Sequence, residues 1–459
     1  MKTAAARVLT VLAAVAVLIV AQFSPPPVAS ASTSTTGLTP VQLYELRMSY
    51  LRLSEDFYQK IDTQALLDGA YQKLSDDLER QGVSRSSFHK AHATNNDRND
   101  RNAFVDEAET AYTLAGSKLT GTQITYDAIA GLYGAVKDRY TVFLNPKEYA
   151  AMEQGLTGGD GFGGVGLVIG LETTGAKRAT VEWVAQGGPA DRAGIQSGDV
   201  IATINGTATD GMQIKQVSSL LRGDAGTVVR LGIERSGEPL GDPLSITRRE
   251  IHTPSVYAKM LSNKVAFIAI TIFGQTTADE LGDALSKFEK SGAQAYVLDL
   301  RDNGGGYLDS AIDVSSKFIS TGPIVKVTER AGNFKQYDAD NDAISPKPLV
   351  VLVNGNTASA SEITSGAIQD RGVGTLIGTR TFGKGVVQSI YPLPDGSAIK
   401  ITTARYYTPR GRDINTVGIQ PDITAEENTS PILGDPTKDA QLQTALTFLS
   451  QKVARSASR

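Results

Sequence analysis

The sequence predicts a multidomain α+β protein: an N-terminal helical region, a β-rich domain rich in glycine turns, and an α/β domain built on a mostly parallel sheet. Three observations carry this reading. The chain has 459 residues, too many for one compact core, so two or three domains are expected. Its hydrophobic texture changes twice, from helical spacing to short apolar runs between glycines, and then to continuous apolar runs alternating with amphipathic stretches. The last pattern, strand–helix–strand, implies a parallel sheet whose sites lie at the carboxyl ends of its strands.

Residues 1–31 read as an export signal. Lys2 and Arg7 precede the apolar run Val8 to Ala21, and Ala29-Ser30-Ala31 offers a small-x-small cleavage site after Pro25-Pro26-Pro27. An uncleaved anchor is the alternative, leaving the protein exported, periplasmic or extracellular, and either free or membrane-associated. Residues 38–155 form the helical region, with Thr39-Pro40 as N-cap and first-turn proline and Leu43, Leu46, Tyr50 and Leu53 at helical spacing. The polar run Ser84 to Asn102 reads as a solvated loop holding His89 and His92 as surface residues.

Residues 160–250 contain the glycine-entered strand Gly164-Val165-Gly166-Leu167-Val168-Ile169. A short helix from Gly188 to Ile195 follows, then a strand from Gly198 ending in the turn Asn205-Gly206. A second helix, Val217 to Arg222, and a strand, Val228 to Arg235, complete the set. This order of landmarks resembles a PDZ domain. The resemblance implies a module that adds a peptide as an extra strand and receives its terminal carboxylate on backbone N–H groups. Gly164, Val165, Gly166 and Leu167 are the expected contacts, with the glycines permitting close approach.

Residues 251–425 hold three buried strands: Val265 to Ile270, Ala295 to Leu300 and Leu349 to Val353. Helical stretches run from Thr277 to Ser291 and from Leu308 to Ile319. Two strand ends look chemical. Leu300-Arg301-Asp302-Asn303-Gly304-Gly305-Gly306 presents backbone N–H groups that suit an anion nest or half of an oxyanion hole. Asn356-Thr357-Ala358-Ser359-Ala360-Ser361-Glu362 places a hydroxyl near a helix N-terminus, although on this segment alone Ser359 or Ser361 reads as a cap.

Composition narrows the chemistry. No cysteine is present, which excludes disulfides, thiolate zinc sites and thiol nucleophiles; His89, His92 and His252 are the only histidines. No metal site or cofactor is expected. A formal net charge of −4 gives no footprint for nucleic acid.

Thr381-Phe382-Gly383-Lys384-Gly385-Val386-Val387-Gln388 decides between cap and nucleophile. With this segment the chain resembles the carboxyl-terminal processing (tail-specific) protease family over essentially its whole mature length. Asp138 to Leu144, Thr402 to Pro421 and a terminal helix at 435–455 fit as well. The resemblance implies a crotonase-like catalytic domain, Ser359 as nucleophile, Lys384 as general base, Gln388 as its orienting partner, and Gly305 and Ala360 as oxyanion donors. It also implies protein substrates with apolar C-terminal tails; an adaptor, a homo-oligomer and peripheral membrane association stay open. Gly304 and Arg139 stand where the family has proline, and Asn356-Thr357 where Gly-Ser is common; Gly304 is expected to loosen the oxyanion turn. Independently of the family, a serine hydroxyl needs a neighbouring base, and burial among Phe382, Val386 and Val387 lowers a lysine pKa. Two other readings remain at this level: a silent PDZ scaffold and a crotonase-like acyl enzyme.

Overall fold

The computed structural model describes residues 37–157, 162–171, 178–185, 188–251, 254–261, 263–344, 346–426 and 434–457. The signal at 1–31 and His252 lie outside the described residues. Four helices open the fold: Pro40–Asp56, Thr63–Arg80, Asp97–Ala115 and Gly121–Gly134. Thr39 caps the first as expected, its hydroxyl accepting from the Gln42 N–H while the Gln42 side chain accepts from the Thr39 N–H. The third helix begins inside the run read as a loop. Asn96 caps it, Asp97 and Asp100 sit in its first turn, and Phe104, Val105, Ala108 and Ala111 bury one face. Polar composition concealed a helix start whose acidic residues suit the positive end of the dipole. His89 and His92 are exposed.

This helical core also takes Leu393, just past the strand Val386–Pro392, and Ile399 and Ile401 from the strand Ala398–Tyr407. Those two strands pair antiparallel, and Ala398–Tyr407 further pairs with Val142–Leu144 and Pro323–Glu329. One face of this sheet is thus covered by helices. Lys400, between Ile399 and Ile401, points the other way, into the cleft described below.

The second domain is a sheet with helices Pro189–Arg192 and Ile214–Leu221 around a core that includes Val165, Ile201, Val217 and Leu231. Val228–Arg235 alternates buried and open positions. Asn205 and Gly206 both take positive φ (51° and 82°), the geometry of a tight hairpin turn. Among the described residues, Leu167–Leu171 is an edge strand, paired only with Ala179–Val184.

The third domain has a six-stranded sheet: Val256–Met260, Val265–Ile270, Ala295–Asp299, Leu349–Val353, Thr375–Gly378 and Ile423–Thr424 in spatial order. Only the first pairing is antiparallel. Every residue of Val265–Ile270 and Leu349–Val353 is buried because both faces are covered. Ala360–Arg371 packs on one face and Ala440–Ala457 on the other, through Leu442, Ala445 and Leu449. The helix expected to reach Ile319 ends at Ser316. Among the described residues, no helix is long and apolar enough to cross a membrane.

Candidate active site

The carboxyl end of Leu349–Val353 leads into a turn tied to its neighbours. Thr357 Oγ1 donates to the Leu300 carbonyl (2.9 Å), and the Ala358 N–H donates to the Asn303 carbonyl (3.0 Å). Ser359 follows at φ 56°, a left-handed conformation rare outside glycine. It occupies the N-cap of Ala360–Arg371, yet its Oγ is not held by a cap bond of ordinary geometry. Among the described residues, no acceptor takes the Ala360 N–H. A hydroxyl and a free backbone donor therefore meet at the positive end of a twelve-residue helix.

The glycine turn lies directly against Ser359. A Cβ on Gly305 (φ 105°) would stand 2.8 Å from the Ser359 Cβ and 2.9 Å from the Ala360 nitrogen, and one on Gly306 would stand 2.2 Å from the Phe273 carbonyl oxygen. Gly304 meets nothing within 4 Å. Fully buried Asn303 fixes the turn: its Nδ2 donates to the Ile270 carbonyl (2.7 Å), and its Oδ1 accepts from the Gly305 N–H (2.9 Å). The turn at Gly304 is thus pinned from its flank, whereas sequence reading expected it loose. The Gly305 N–H is already bonded, unlike that of Ala360.

Lys384, Gln388, Gly305, Ala360 and Ser359 all line one cleft of about 370 Å³. Burial lowers the Lys384 ammonium to about 8; the Lys400 and Arg139 charges push the same way, against Glu362 and Asp138. Its Nζ rests 4.8 Å from the centre of the Tyr140 ring. Gln388 Nε2 is buried there without a hydrogen-bond partner among the described residues. The five residues share a cleft, but no hydrogen bond joins Ser359 Oγ, Lys384 Nζ and Gln388 among those formed by the described residues. Catalytic contacts of this kind commonly tighten only around bound substrate.

Sequence reading missed two residues of the site, Glu362 and Tyr406. Glu362 is fully buried, and its carboxylate accepts from the Ser359 N–H (3.0 Å), the Lys384 N–H (2.8 Å), the Gly383 N–H (2.8 Å) and Thr381 Oγ1 (2.5 Å). The Ser-x-x-Glu spacing of a capping box was its visible signal. Tyr406 had none, because its position depends on pairing across the sheet.

A larger cavity, about 640 Å³, opens in the second domain between the edge strand and Ile214–Leu221. Gly164, Val165, Gly166 and Leu167 all line it, with Ile169, Ile214 and Leu221. Trp183 lines it too and packs edge-on against Tyr257 of the third domain, ring centres 5.4 Å apart. Thr271 lines both cavities, so the two adjoin.

The peptidase family S41 model matches residues 264–425, and a PDZ domain model matches residues 180–235. A C-terminal processing peptidase, chloroplastic, from Tetradesmus obliquus is 37% identical over 322 residues, covering 67% of this chain and 69% of that relative. The carboxyl-terminal-processing protease of Synechocystis sp. (strain ATCC 27184 / PCC 6803 / Kazusa) is 35% identical over 347 residues, covering 73% and 79%. Among solved structures, a photosystem II D1 C-terminal processing protease aligns with TM-score 0.46 at 29% identity, covering 84% of this chain and 94% of that one. Identity at this level over more than two thirds of both chains establishes that the chain belongs to the carboxyl-terminal-processing serine proteases of peptidase family S41, with a PDZ domain.

Proposed function

We propose that Ser359 and Lys384 form the reacting pair of an exported endopeptidase that cleaves protein substrates near their C-termini. The observation that carries this is the shared cleft, where a serine at a helix N-terminus meets a buried lysine with a depressed pKa. In the proposed cycle, Ser359 Oγ attacks the peptide carbonyl and its proton passes to neutral Lys384 Nζ. The developing oxyanion takes the free Ala360 N–H and the Gly305 N–H, the latter exchanging Asn303 Oδ1 for the new acceptor. Lys384 then protonates the leaving amine as the C–N bond breaks. A water gives Lys384 a proton and attacks the ester; Lys384 returns that proton to Ser359 Oγ as the acyl C–O bond breaks, releasing the new carboxyl terminus and restoring neutral Lys384. Gln388 Nε2 and Oε1 offer a neutral contact for the amine once it turns from Tyr140 toward Ser359.

The PDZ cavity supports recognition of an apolar C-terminal tail, added to the open edge of Leu167–Leu171. Its position beside the cleft, with Thr271 in the lining of both, supports delivery of the same chain to Ser359. Purified Ser359→Ala and Lys384→Ala variants are expected to lose cleavage of a tail-bearing substrate while binding the tail normally. A fluorophosphonate probe is expected to label the wild type and spare Ser359→Ala. Full cleavage by either variant refutes the assignment.

A further inference from the structure

Two buried side chains reach both halves of the proposed reacting pair, and they do so through opposite backbone groups. Glu362 accepts from the N–H of Ser359 (3.0 Å) and the N–H of Lys384 (2.8 Å). The Tyr406 hydroxyl faces the carbonyl of Ser359 (3.1 Å) and bonds the carbonyl of Lys384. Ser359 and Lys384 are 25 residues apart and stand on separate segments, so their spacing is not set by chain connectivity. We infer that Glu362 and Tyr406 are positioning residues, a two-sided clamp that sets the distance between the nucleophile and the base.

The clamp is anchored from outside the site. Glu362 Oε1 also takes Thr381 Oγ1 (2.5 Å) and the Gly383 N–H (2.8 Å), so donors fill the lone-pair sites of both carboxylate oxygens. Only the ionised form can accept all four, since a carboxylic acid would turn an O–H toward a donor. Burial pushes the Glu362 carboxyl up, and these donors hold it back. Thr381 Oγ1 in turn accepts from the Ile419 N–H (2.7 Å), which fixes the far side of the base loop. Tyr406 is 1% exposed, and its own N–H donates to the Gly385 carbonyl (3.0 Å), registering its strand against the same loop. At Ser359 and Lys384 the clamp touches backbone only, which leaves the Ser359 hydroxyl and the Lys384 amine free to react.

The inference rests on the Ser359–Lys384 reading, and the test separates the two. Glu362→Gln and Tyr406→Phe are assayed as full chains for tail-substrate kcat and KM between pH 6 and 10, with melting temperature and tail-peptide affinity measured alongside. Each variant is expected to lose about 10²-fold in kcat, the order of loss for a misplacement near 1 Å, with KM and tail affinity within about twofold of wild type. Glu362→Gln also removes a negative charge near Lys384, whose other charged neighbours are Lys400, Arg139 and Asp138. Its acidic limb therefore moves to lower pH, while that of Tyr406→Phe stays in place. Tyr406→Phe keeps the ring and its packing, so it carries the test alone where Glu362→Gln does not fold. A kcat within threefold of wild type in Tyr406→Phe overturns the clamp. So does a kcat loss that only tracks lost melting temperature and tail affinity. Cleavage surviving in Ser359→Ala overturns the underlying assignment instead, whatever the clamp variants do.

Discussion

Replacing Gly305 with alanine tests how closely the glycine turn is matched to Ser359. The added Cβ would stand 2.8 Å from the Ser359 Cβ, 2.9 Å from the Ala358 carbonyl oxygen and 2.9 Å from the Ala360 nitrogen. Comfortable carbon contacts begin at about 3.5 Å, so turn and helix start must separate by about 0.7 Å. Backbone strain adds to this, because φ is 105° and a left-handed or more extreme conformation costs an L side chain about 1–3 kcal/mol. Asn303 holds the turn from one side and Thr357 holds the serine from the other, so neither can drift freely. Moving the Gly305 N–H away from the oxyanion position is expected to lower kcat by about 10²- to 10³-fold, the usual loss of one such donor. Stability should fall by about 1–3 kcal/mol, read as a lower melting temperature at about 2–4 °C per kcal/mol. Gly304→Ala, with nothing within 4 Å and no positive φ, should instead leave the melting temperature unchanged or slightly raised. The assay is initial-rate cleavage of a quenched tail peptide together with thermal melts of both variants. A Gly305→Ala protein with kcat within threefold of wild type would refute the reasoning.

Three further outcomes are expected. The acidic limb of kcat should have its midpoint near pH 8, since only neutral Lys384 accepts the proton; Lys400→Met removes a like charge, favours the ammonium and moves that limb to higher pH. Ile214→Glu places a charge in the apolar tail cavity and should weaken apolar tail affinity about tenfold or more by calorimetry. Arg301, 5% exposed, bridges Asp299 and Asp439 (both 2.6 Å), so Arg301→Met strands two buried carboxylates and should cost about 3 kcal/mol or more in a denaturant melt.

The parts legible in the sequence were those fixed by local pattern. Val265–Ile270 and Leu349–Val353 read at their observed bounds because strands covered on both faces are continuously apolar. Val228–Arg235 was also read at its observed bounds. The helix Asp97–Ala115 was partly hidden because its first turn is polar, and polarity alone does not separate a capped helix start from a loop. At the site, the family resemblance carried by the segments around Ser359 and Lys384 named Ser359, Lys384, Gln388, Gly305 and Ala360, and all five line one cleft. What pattern could not supply was orientation. The Lys384 amine lies against the distant Tyr140, and the Gly305 N–H is bonded to neighbouring Asn303, which the distant Ile270 carbonyl holds in place. Tyr406 stayed unseen for the same reason, and Glu362 showed only its Ser-x-x-Glu spacing, since a buried carboxylate gathers partners only after the sheet has assembled.

Trp183 is the only tryptophan in the chain, and it stands where the PDZ-domain cavity meets the third domain. Its edge-on contact with Tyr257 and its place in the cavity wall make its emission sensitive to occupancy and to any shift of the two domains. The protein thus carries a label-free optical reporter. Stopped-flow fluorescence can time tail arrival and domain movement separately from peptide-bond hydrolysis, using the unmodified chain.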